Sequence, residues 1–240
     1  MKQRLDQALD GRGLVRSRSQ AESYIKLGQV KVNGRIVTKP GELVRDDDTL
    51  EVTATEQYVS RAALKLASVS ELLKIRFEGA TILDVGSSTG GFTDYALKHG
   101  AVRSIAVEVG TDQLHPSLHG NPAIELHEQT DIRDFKTDQK IDIVVADVSF
   151  ISLREILPSV AKLCNPQTAI IAMVKPQFEA GQSSLKHKGV IKNDRMRRDI
   201  LKDFELWAQQ HFRIIDKADS DISGSRGNVE RFYRLQKLPR

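Results

Sequence analysis

The sequence lacks the features that mark disulfide-stabilised, multi-cysteine metal-binding and membrane-spanning proteins. Its 240 residues include one cysteine, Cys164, which excludes an internal disulfide and any metal site built from several cysteines. Among the longest apolar stretches is residues 168–174, far too short to cross a bilayer, and no apolar signal segment follows Met1. We therefore predict a cytoplasmic protein with no membrane association, no metal and no obligate protein partner.

Positive charge is concentrated at one end of the chain. The whole sequence has 36 Lys and Arg against 32 Asp and Glu, a net charge of +4. Residues 1–45 hold ten of the basic and four of the acidic side chains, or +6, so the remaining 195 residues sum to −2. A basic end on a near-neutral body is typical of an appendage that binds nucleic acid, although a solvated basic face has the same composition.

Residues 1–53 predict a small α+β unit with two helices. Ser19, followed three residues later by Glu22, has the pattern of a helix N-cap and capping box. Asn33-Gly34 lies between alternating apolar residues and predicts a hairpin, because a type I′ turn needs positive φ at both central positions. We expect a linker at residues 54–59 and a second, larger domain at residues 60–240.

Several short motifs in this first unit form a family pattern. They are Arg4-Leu5-Asp6-x-x-Leu9, Gly13-Leu14-x-x-Ser17-Arg18-x-x-Ala21 and Ile25-x-x-Gly28-x-Val30-x-Val32-Asn33-Gly34. The pattern resembles the RNA-binding module of the ribosomal-protein-S-four type, in which the second helix and the loop before it face RNA. Ser17 and Arg18 would equally serve as a helix cap, and a helix N-terminus also binds phosphate. The candidate RNA-binding residues here are Arg4, Arg16, Ser17, Arg18, Gln20, Lys31 and Arg35.

From residue 60 onward, helices alternate with almost wholly apolar strands. Such strands indicate a parallel sheet covered by helices on both faces, an α/β fold. Ligands of such sheets bind beyond the carboxyl ends of the strands, so we expect the functional residues at these ends. The predicted strands are residues 81–85, 104–108, 124–126, 141–146, 168–174, 212–215 and 230–235.

A glycine-rich loop and two acidic residues predict a nucleoside site at these strand ends. The loop lacks the G-x-G-x-x-G spacing of a pyrophosphate cradle. Glu108 ends the next strand, where a carboxylate can accept both hydroxyls of a ribose, and Asp131 beside Ile132 can accept from an adenine amine. This combination favours S-adenosylmethionine over NAD, while Asp84 has an alternative role as the cap of the following turn. The candidate cofactor-binding residues are Asp84, Gly86, Ser87, Ser88, Thr89, Gly90, Gly91, Phe92, Glu108, Asp131 and Ile132.

Two lysines and two acids form the candidate catalytic set. Lys65 lies on the helix before the first strand, Asp147 and Lys175 end the fourth and fifth strands, and Glu230 begins the last. A charged residue after an apolar strand is the ordinary way for a strand to end. Four charged residues of alternating sign at one edge of a sheet are less ordinary. Buried charges must be paired, and these four can pair with one another.

This Lys-Asp-Lys-Glu order is similar to the catalytic tetrad of the FtsJ-type ribose 2′-O-methyltransferases. With the N-terminal module, the chain resembles the TlyA-like ribosomal RNA methyltransferases, historically filed as haemolysins. The resemblance implies a Rossmann-like, seven-stranded methyltransferase sheet, S-adenosylmethionine as cofactor, and ribosomal RNA or a ribosomal subunit as partner. It implies 2′-O-methylation of a ribose, with cytidine as the expected nucleoside. The matching motifs are Tyr58-Val59-Ser60-Arg61, Asp84-Val85-Gly86, Thr89-Gly90-Gly91-Phe92, Asp147-Val148-Ser149-Phe150-Ile151-Ser152 and Val174-Lys175-Pro176-Gln177-Phe178-Glu179.

The chemistry of such a transfer assigns a role to each member of the set. Methyl transfer from a sulfonium to a hydroxyl is an in-line displacement, so the enzyme must align the reactants and remove the hydroxyl proton. We assign Lys175 as the base or the hydroxyl-orienting group, and Lys65, Asp147 and Glu230 as the network that positions it. Phe150 and Phe178 are candidates for stacking on a flipped base, with packing as the alternative.

A second basic stretch lies near the C-terminal end of the predicted site. Residues 181–198 hold six Lys and Arg against one Asp, enough to track an RNA backbone. Lys186, Lys188 and Lys192 are the RNA-binding candidates there.

Two other classes of protein compete with the methyltransferase hypothesis. A dehydrogenase with an RNA-binding appendage would bind NAD, but the G-x-G-x-x-G spacing is absent. A membrane-lytic protein would need a long apolar segment or a lytic amphipathic helix, and the sequence has neither.

Overall fold

The computed structural model describes residues 2–15, 17–54, 58–180, 190–191, 193–222, 224 and 227–239. Near the N-terminus, two helices pack on two small sheets. One of these sheets consists of strands β1 and β4 and was not predicted from the sequence. The elements of this unit are β1 Lys2–Arg4, α1 Leu5–Gly11, α2 Arg18–Lys26, β2 Val30–Val32, β3 Arg35–Ile36, β4 Leu43–Arg45 and β5 Leu50–Val52.

The predicted hairpin is confirmed; of the two candidate helix caps, Ser17 is confirmed and Ser19 is wrong. Asn33 and Gly34 both have positive φ, 51° and 79°, and they connect the antiparallel strands β2 and β3. Helix α2 is capped by Ser17, whose side chain accepts a hydrogen bond from the Gln20 N–H, and not by Ser19, which lies inside the helix. Ser17 has the extended backbone of an N-cap residue, so the helix begins two residues earlier than expected.

The rest of the chain forms one seven-stranded sheet with the strand order β11-β12-β10-β9-β6-β7-β8. Helices α3 and α4 cover one face, and α5 and α7 cover the other. Its elements are α3 Arg61–Ser70, β6 Thr81–Val85, α4 Gly91–Lys98, β7 Arg103–Val107, β8 Ile124–His127, β9 Ile143–Ala146, α5 Leu153–Leu163, β10 Ala169–Val174, α6 Pro176–Glu179, α7 Asp194–His211, β11 Phe212–Asp219 and β12 Arg231–Lys237.

The sheet is mixed, which corrects the expectation of an all-parallel sheet. Strand β12 runs antiparallel to both of its neighbours, β10 and β11, while the other strands are parallel to one another. Only residues 220–230 join β11 to β12, and a connection this short suits an antiparallel pair better than a parallel crossover. The start of β12 therefore lies at the same edge as the carboxyl ends of β9 and β10.

Helix α3 ends earlier than predicted, with consequences for the residues that it buries. The apolar pattern of residues 61–73 predicts one helix that buries Leu66, Val69, Leu72 and Leu73. The helix stops at Ser70, and Leu72 is 61% exposed, whereas the other three residues are buried. In the part of the chain that the structure describes, none of the helices has the length and apolar character that crossing a membrane requires.

Candidate active site

A cavity of about 550 Å³ opens at the carboxyl ends of β6, β7 and β9. Five of the predicted cofactor-binding residues line it, together with Asp147, Ser149 and Phe150. A volume of this size suits a nucleoside-sized ligand. The five predicted residues are Gly86, Ser88, Glu108, Asp131 and Ile132.

Gly86 lets the ends of two neighbouring strands come close together. Its φ is +78°, and a Cβ atom at this position would lie 2.8 Å from the carbonyl oxygen of Asp147. A real Cβ does not approach backbone so closely, and positive φ disfavours other residues as well. Glycine is therefore required here by the fold, and the same backbone lines the cavity.

The buried carboxylate of Glu108 connects the glycine-rich loop to the end of β7. Its Oε2 accepts a hydrogen bond from the Ser88 N–H at 2.9 Å, and its Oε1 accepts one from the Gly110 N–H at 2.8 Å. Each carboxylate oxygen has a second lone pair, so both can still accept from a ligand. The carboxylate is thus held in place by backbone donors at the wall of the cavity.

Asp84 is buried beneath the loop, and only one of its oxygens is paired. Its Oδ2 accepts from the N–H and the hydroxyl of Thr93, at 3.0 and 2.7 Å. Its Oδ1 has no hydrogen-bond partner, and neither has the buried hydroxyl oxygen of Ser87. Burial, reinforced by the Asp147 and Glu108 carboxylates, raises the pKa of Asp84 to about 7. These unpaired buried atoms are suited to polar or cationic groups of a ligand.

This raised pKa predicts a pH dependence of stability. An aspartate in the unfolded chain has a pKa near 3.9. Between about pH 4 and 7, Asp84 therefore keeps its proton in the folded chain but has lost it in the unfolded chain. Stability therefore falls as pH rises through this window. Asp84→Asn should remove this fall, and its amide oxygen can still accept from Thr93. At about 1.4 kcal/mol per pKa unit, the fall in the unfolding free energy of the wild type above pH 7 is on the order of 4 kcal/mol.

Urea unfolding of the wild type and the Asn variant without ligand, at pH 5 and pH 8, samples about two of these three pH units, so the two proteins should differ by roughly 3 kcal/mol in their change of unfolding free energy. Because all other groups titrate alike in both proteins, the difference isolates Asp84. If the unfolding free energy changes by the same amount from pH 5 to pH 8 in both proteins, the prediction for Asp84 is wrong.

The remaining predicted cofactor residues support the loop or lie at its surface. Thr89 is exposed, and Phe92 is buried with its ring 6.0 Å from that of Phe232. Gly90 has a φ of +83°, and a Cβ on Gly91 would lie 2.1 Å from the Ser60 hydroxyl oxygen, so both glycines permit close packing.

Asp131, at the other side of the cavity, is held by an arginine. Both of its carboxylate oxygens accept from the Arg133 guanidinium, the shortest contact being 2.6 Å, and the Arg133 N–H also donates to it. These hydrogen bonds keep the pKa of Asp131 below its usual range. The adjacent Ile132 is buried and contributes apolar surface to the cavity.

The four candidate catalytic residues form two ion pairs. The Lys175 Nζ lies 2.5 Å from the Asp147 Oδ1 and donates to the Ser149 hydroxyl at 2.8 Å. The Lys65 Nζ donates to the Glu230 Oε1 at 3.0 Å, and this second pair is buried. Ser149, two residues after Asp147 in the chain, is a contact of Lys175 that the sequence does not predict.

Strand register explains why three of these residues share one edge of the sheet. Val174 at the end of β10 is paired with Arg231 at the start of β12, so the next residues outward are Lys175 and Glu230. Asp147 follows β9, the strand on the other side of β10. The antiparallel direction of β12 is thus what brings Glu230 to this edge.

Phe150 projects from the mouth of the cavity. It is 92% exposed, has a φ of +66°, and its ring centroid lies 5.2 Å from that of Phe178. The Lys175 Nζ lies 5.9 Å from the Phe178 ring centroid. An exposed aromatic ring held in an uncommon backbone conformation beside an ion pair is more typical of a binding role than of packing.

The predicted RNA-binding residues of the N-terminal unit are partly engaged within the protein. The buried carboxylate of Asp6 accepts from Arg4 at 2.9 Å and from Arg18 at 2.7 Å. Although burial opposes it, these two hydrogen bonds hold the pKa of Asp6 below its usual range. Both arginines remain about half exposed and can still meet a phosphate.

The other predicted RNA-binding residues have different surroundings. Gln20 is buried, donates to the Tyr24 hydroxyl and lines a small cavity with Ser17 and Tyr58. Lys31 lies 3.9 Å from Glu51, and Arg35 pairs with Glu42. Arg16, Lys186, Lys188 and Lys192 lie outside the described residues.

Two protein families match separate parts of the chain. The FtsJ-like methyltransferase family matches residues 58–237, and the S4 domain matches residues 3–50. The chain is thus a methyltransferase with an S4 domain at its N-terminal end. The chain belongs to the FtsJ-like methyltransferase family and, within it, to the TlyA group.

Named relatives and one solved structure are similar over most of the chain. The chain is 36% identical to the 16S/23S rRNA (cytidine-2′-O)-methyltransferase TlyA of Mycobacterium tuberculosis, over 97% of this chain and 89% of that protein. It is 40% identical to the 23S rRNA (cytidine-2′-O)-methyltransferase TlyA of Campylobacter jejuni, over 81% and 77%. The structure of a protein from Streptococcus thermophilus named as a hemolysin is 33% identical, with a TM-score of 0.71 over 99% and 89% of the two chains.

Proposed function

We propose that this protein transfers the methyl group of S-adenosylmethionine to the 2′-hydroxyl of a cytidine ribose in ribosomal RNA. The observation that carries the proposal is Lys175, held 2.5 Å from Asp147 and 2.8 Å from Ser149, because both partners line the nucleoside-sized cavity. The names of the relatives in Mycobacterium tuberculosis and Campylobacter jejuni support cytidine and ribosomal RNA as the target.

The residues around the cavity fit the proposed cofactor. Glu108 would accept from the two ribose hydroxyls, and Asp131 with Ile132 would border the adenine. The unpaired Oδ1 of Asp84 leaves a hydrogen-bonding position open for a polar or cationic group near the glycine-rich loop. When bound, the cofactor supplies an electrophilic methyl group on a sulfonium.

Within this proposal, the protein's own residues align and activate the ribose hydroxyl. Lys175 contacts the hydroxyl, either donating to its oxygen as an ammonium or accepting its proton as a neutral amine. Asp147 and Ser149 fix the direction of the Lys175 Nζ. Lys65 and Glu230 form a second ion pair that holds the adjacent edge of the sheet, and the exposed ring of Phe150 stacks on the target base.

The proposal divides the chain into two working parts. Residues 1–53 hold the RNA, residues 60–240 carry out the transfer, and residues 54–59 connect them. Basic side chains of the first part contact mostly phosphates, so RNA affinity should fall steeply with salt. Such a protein works where ribosomal subunits are made, in the cytoplasm.

Mapping of 2′-O-methyl groups tests the proposed function directly. Purified protein is incubated with S-adenosylmethionine and with 16S RNA, 23S RNA or the two subunits, and the RNA is then mapped by reverse transcription. A new 2′-O-methyl group on a cytidine is the expected result. Calorimetry with S-adenosylmethionine and with NAD separates the competing classes, since a dehydrogenase would bind only NAD and leave every RNA unmodified.

Glu108→Ala should weaken cofactor binding and leave RNA binding intact. Loss of a charged hydrogen-bond partner costs roughly 1.5–3 kcal/mol, or about 10- to 150-fold in the dissociation constant. Glu108→Gln, which keeps one acceptor oxygen, should lose less. Titration calorimetry measures both, with Glu71→Ala, at an exposed position after α3, as the matched control. Unchanged cofactor affinity in a folded Ala variant would remove Glu108 from the site.

A further inference from the structure

The apolar core of the N-terminal unit includes two residues that come from the methyltransferase part of the chain. Leu64 and Ile222 are 3% and 2% exposed, and both belong to the cluster formed by residues such as Leu9, Tyr24 and Ile25. Burial of a leucine and an isoleucine contributes about 1.5–3 kcal/mol each. The two parts of the chain therefore share a core and are not merely tethered.

Each of these two residues is close to one partner of the buried Lys65–Glu230 ion pair, Leu64 along the chain and Ile222 through Ser220. Leu64 precedes Lys65 on α3. Ile222 lies in the connection that ends at Glu230, and its N–H donates to the Ser220 hydroxyl at 3.1 Å. The Ser220 N–H in turn donates to the backbone oxygen of Glu230 at 3.0 Å.

Helix α3 and this connection also contact one another. The hydroxyl oxygens of Ser68, on α3, and Ser220 are 3.4 Å apart. The elements that carry Lys65 and Glu230 thus contact each other at Ser68 and Ser220 as well as through the ion pair, and each places one apolar side chain in the N-terminal core. The position of that core constrains both partners at once.

We propose that the N-terminal unit sets the geometry of the Lys65–Glu230 ion pair by holding Leu64 and Ile222. A buried ion pair is stable only when its geometry is good, because both charges have lost their water. The two apolar residues are positioning residues that act through the pair and do not touch substrate. This role rests on the proposed function, since it gives the RNA-binding unit a second task inside the catalytic part.

The first experiment separates catalysis from binding. For Ile222→Ala, the single-turnover methylation rate at saturating RNA should fall at least tenfold, while the dissociation constants of RNA and S-adenosylmethionine change less than twofold. For Ile222→Val, which removes only one methyl group, the same rate should fall about threefold. This variant replaces Ile222→Ala if the alanine variant does not fold. Val30→Ala, in the same core but on β2, is the matched control and should keep the wild-type rate. Rates equal to wild type in both Ile222 variants would overturn the proposal.

The second experiment does not depend on methylation. Acetic anhydride acetylates exposed amines, and peptide mass spectrometry gives the reaction rate at each lysine. The Lys65 side chain is only 10% exposed, so it should react slowly in the wild type and several-fold faster in Ile222→Ala. The exposed Lys162 is the internal standard. Unchanged Lys65 reactivity in Ile222→Ala, or an equal increase in Val30→Ala, would overturn the proposal.

The two experiments fail in distinguishable ways. If the wild type methylates no RNA but Lys65 reactivity rises only in the Ile222 variants, the proposed function is wrong and the positioning role stands. If the wild type methylates RNA and neither rate nor reactivity responds to Ile222, the positioning role is wrong and the proposed function stands.

Discussion

Lys175→Ala should lower the rate of methyl transfer to RNA by roughly 10²–10⁴-fold, the usual contribution of a positioned acid or base. Cofactor and RNA should still bind, because neither is held chiefly by this ammonium. The variant also leaves the Asp147 carboxylate without its lysine. Single-turnover rates at saturating RNA and cofactor give the loss in the chemical step alone.

Lys175→Arg distinguishes the roles that a lysine can have at this position. A guanidinium is not deprotonated near neutral pH, so a base at this position would be lost in the arginine variant. The wild-type rate should then rise with pH and level off once the amine is mostly neutral. A flat pH profile, with partial activity in the arginine variant, would identify a hydroxyl-orienting group.

A purely structural lysine has a different signature. A side chain that only ends β10 should tolerate arginine with little loss, as the exposed Lys162 on α5 should tolerate alanine. Near-normal methylation by Lys175→Arg, with a wild-type dependence on pH, would show that the residue or the reaction is wrongly assigned.

Removal of residues 1–53 should leave a folded protein that binds cofactor but hardly methylates ribosomal RNA. The apolar clusters on both faces of the seven-stranded sheet come entirely from later residues, so the sheet keeps its core. The RNA-binding surface is lost, and Leu64 and Ile222 lose the core that covers them. Circular dichroism, calorimetry with S-adenosylmethionine and methylation rates on RNA measure the three properties separately.

The full chain provides the control for this truncation. Its RNA affinity should fall steeply with increasing salt, because the contacts are mostly with phosphates, and the residual binding of the truncated protein should depend on salt less. A truncated protein that methylated ribosomal RNA as fast as the full chain would refute the division between an RNA-holding and a catalytic part.

The sequence by itself determined the features that depend on local pattern. Apolar strands between helices predicted the α/β sheet, and Asn33-Gly34 predicted a hairpin, because periodicity and turn geometry are properties of neighbouring residues. The order of Lys65, Asp147, Lys175 and Glu230 was likewise readable, since it needs only one helix and the ends of three strands. Local rules failed where two local solutions compete, as with Ser17 and Ser19 for the cap of α2.

Only the tertiary structure decided how distant residues pair. The antiparallel direction of β12 places Glu230 beside the end of β10, and the tetrad resolves into two separate ion pairs. The buried carboxylate of Asp6 pairs with Arg4 and Arg18, a contact that their candidate roles in RNA binding do not predict.

The shared core of the two parts was likewise invisible from the sequence. Leu64 reads as one more apolar residue of a helix and Ile222 as part of a loop, yet both are buried against the N-terminal unit. The physical reason is common to all of these features: burial and charge pairing depend on which surfaces meet in space, and these surfaces meet only when the chain has folded.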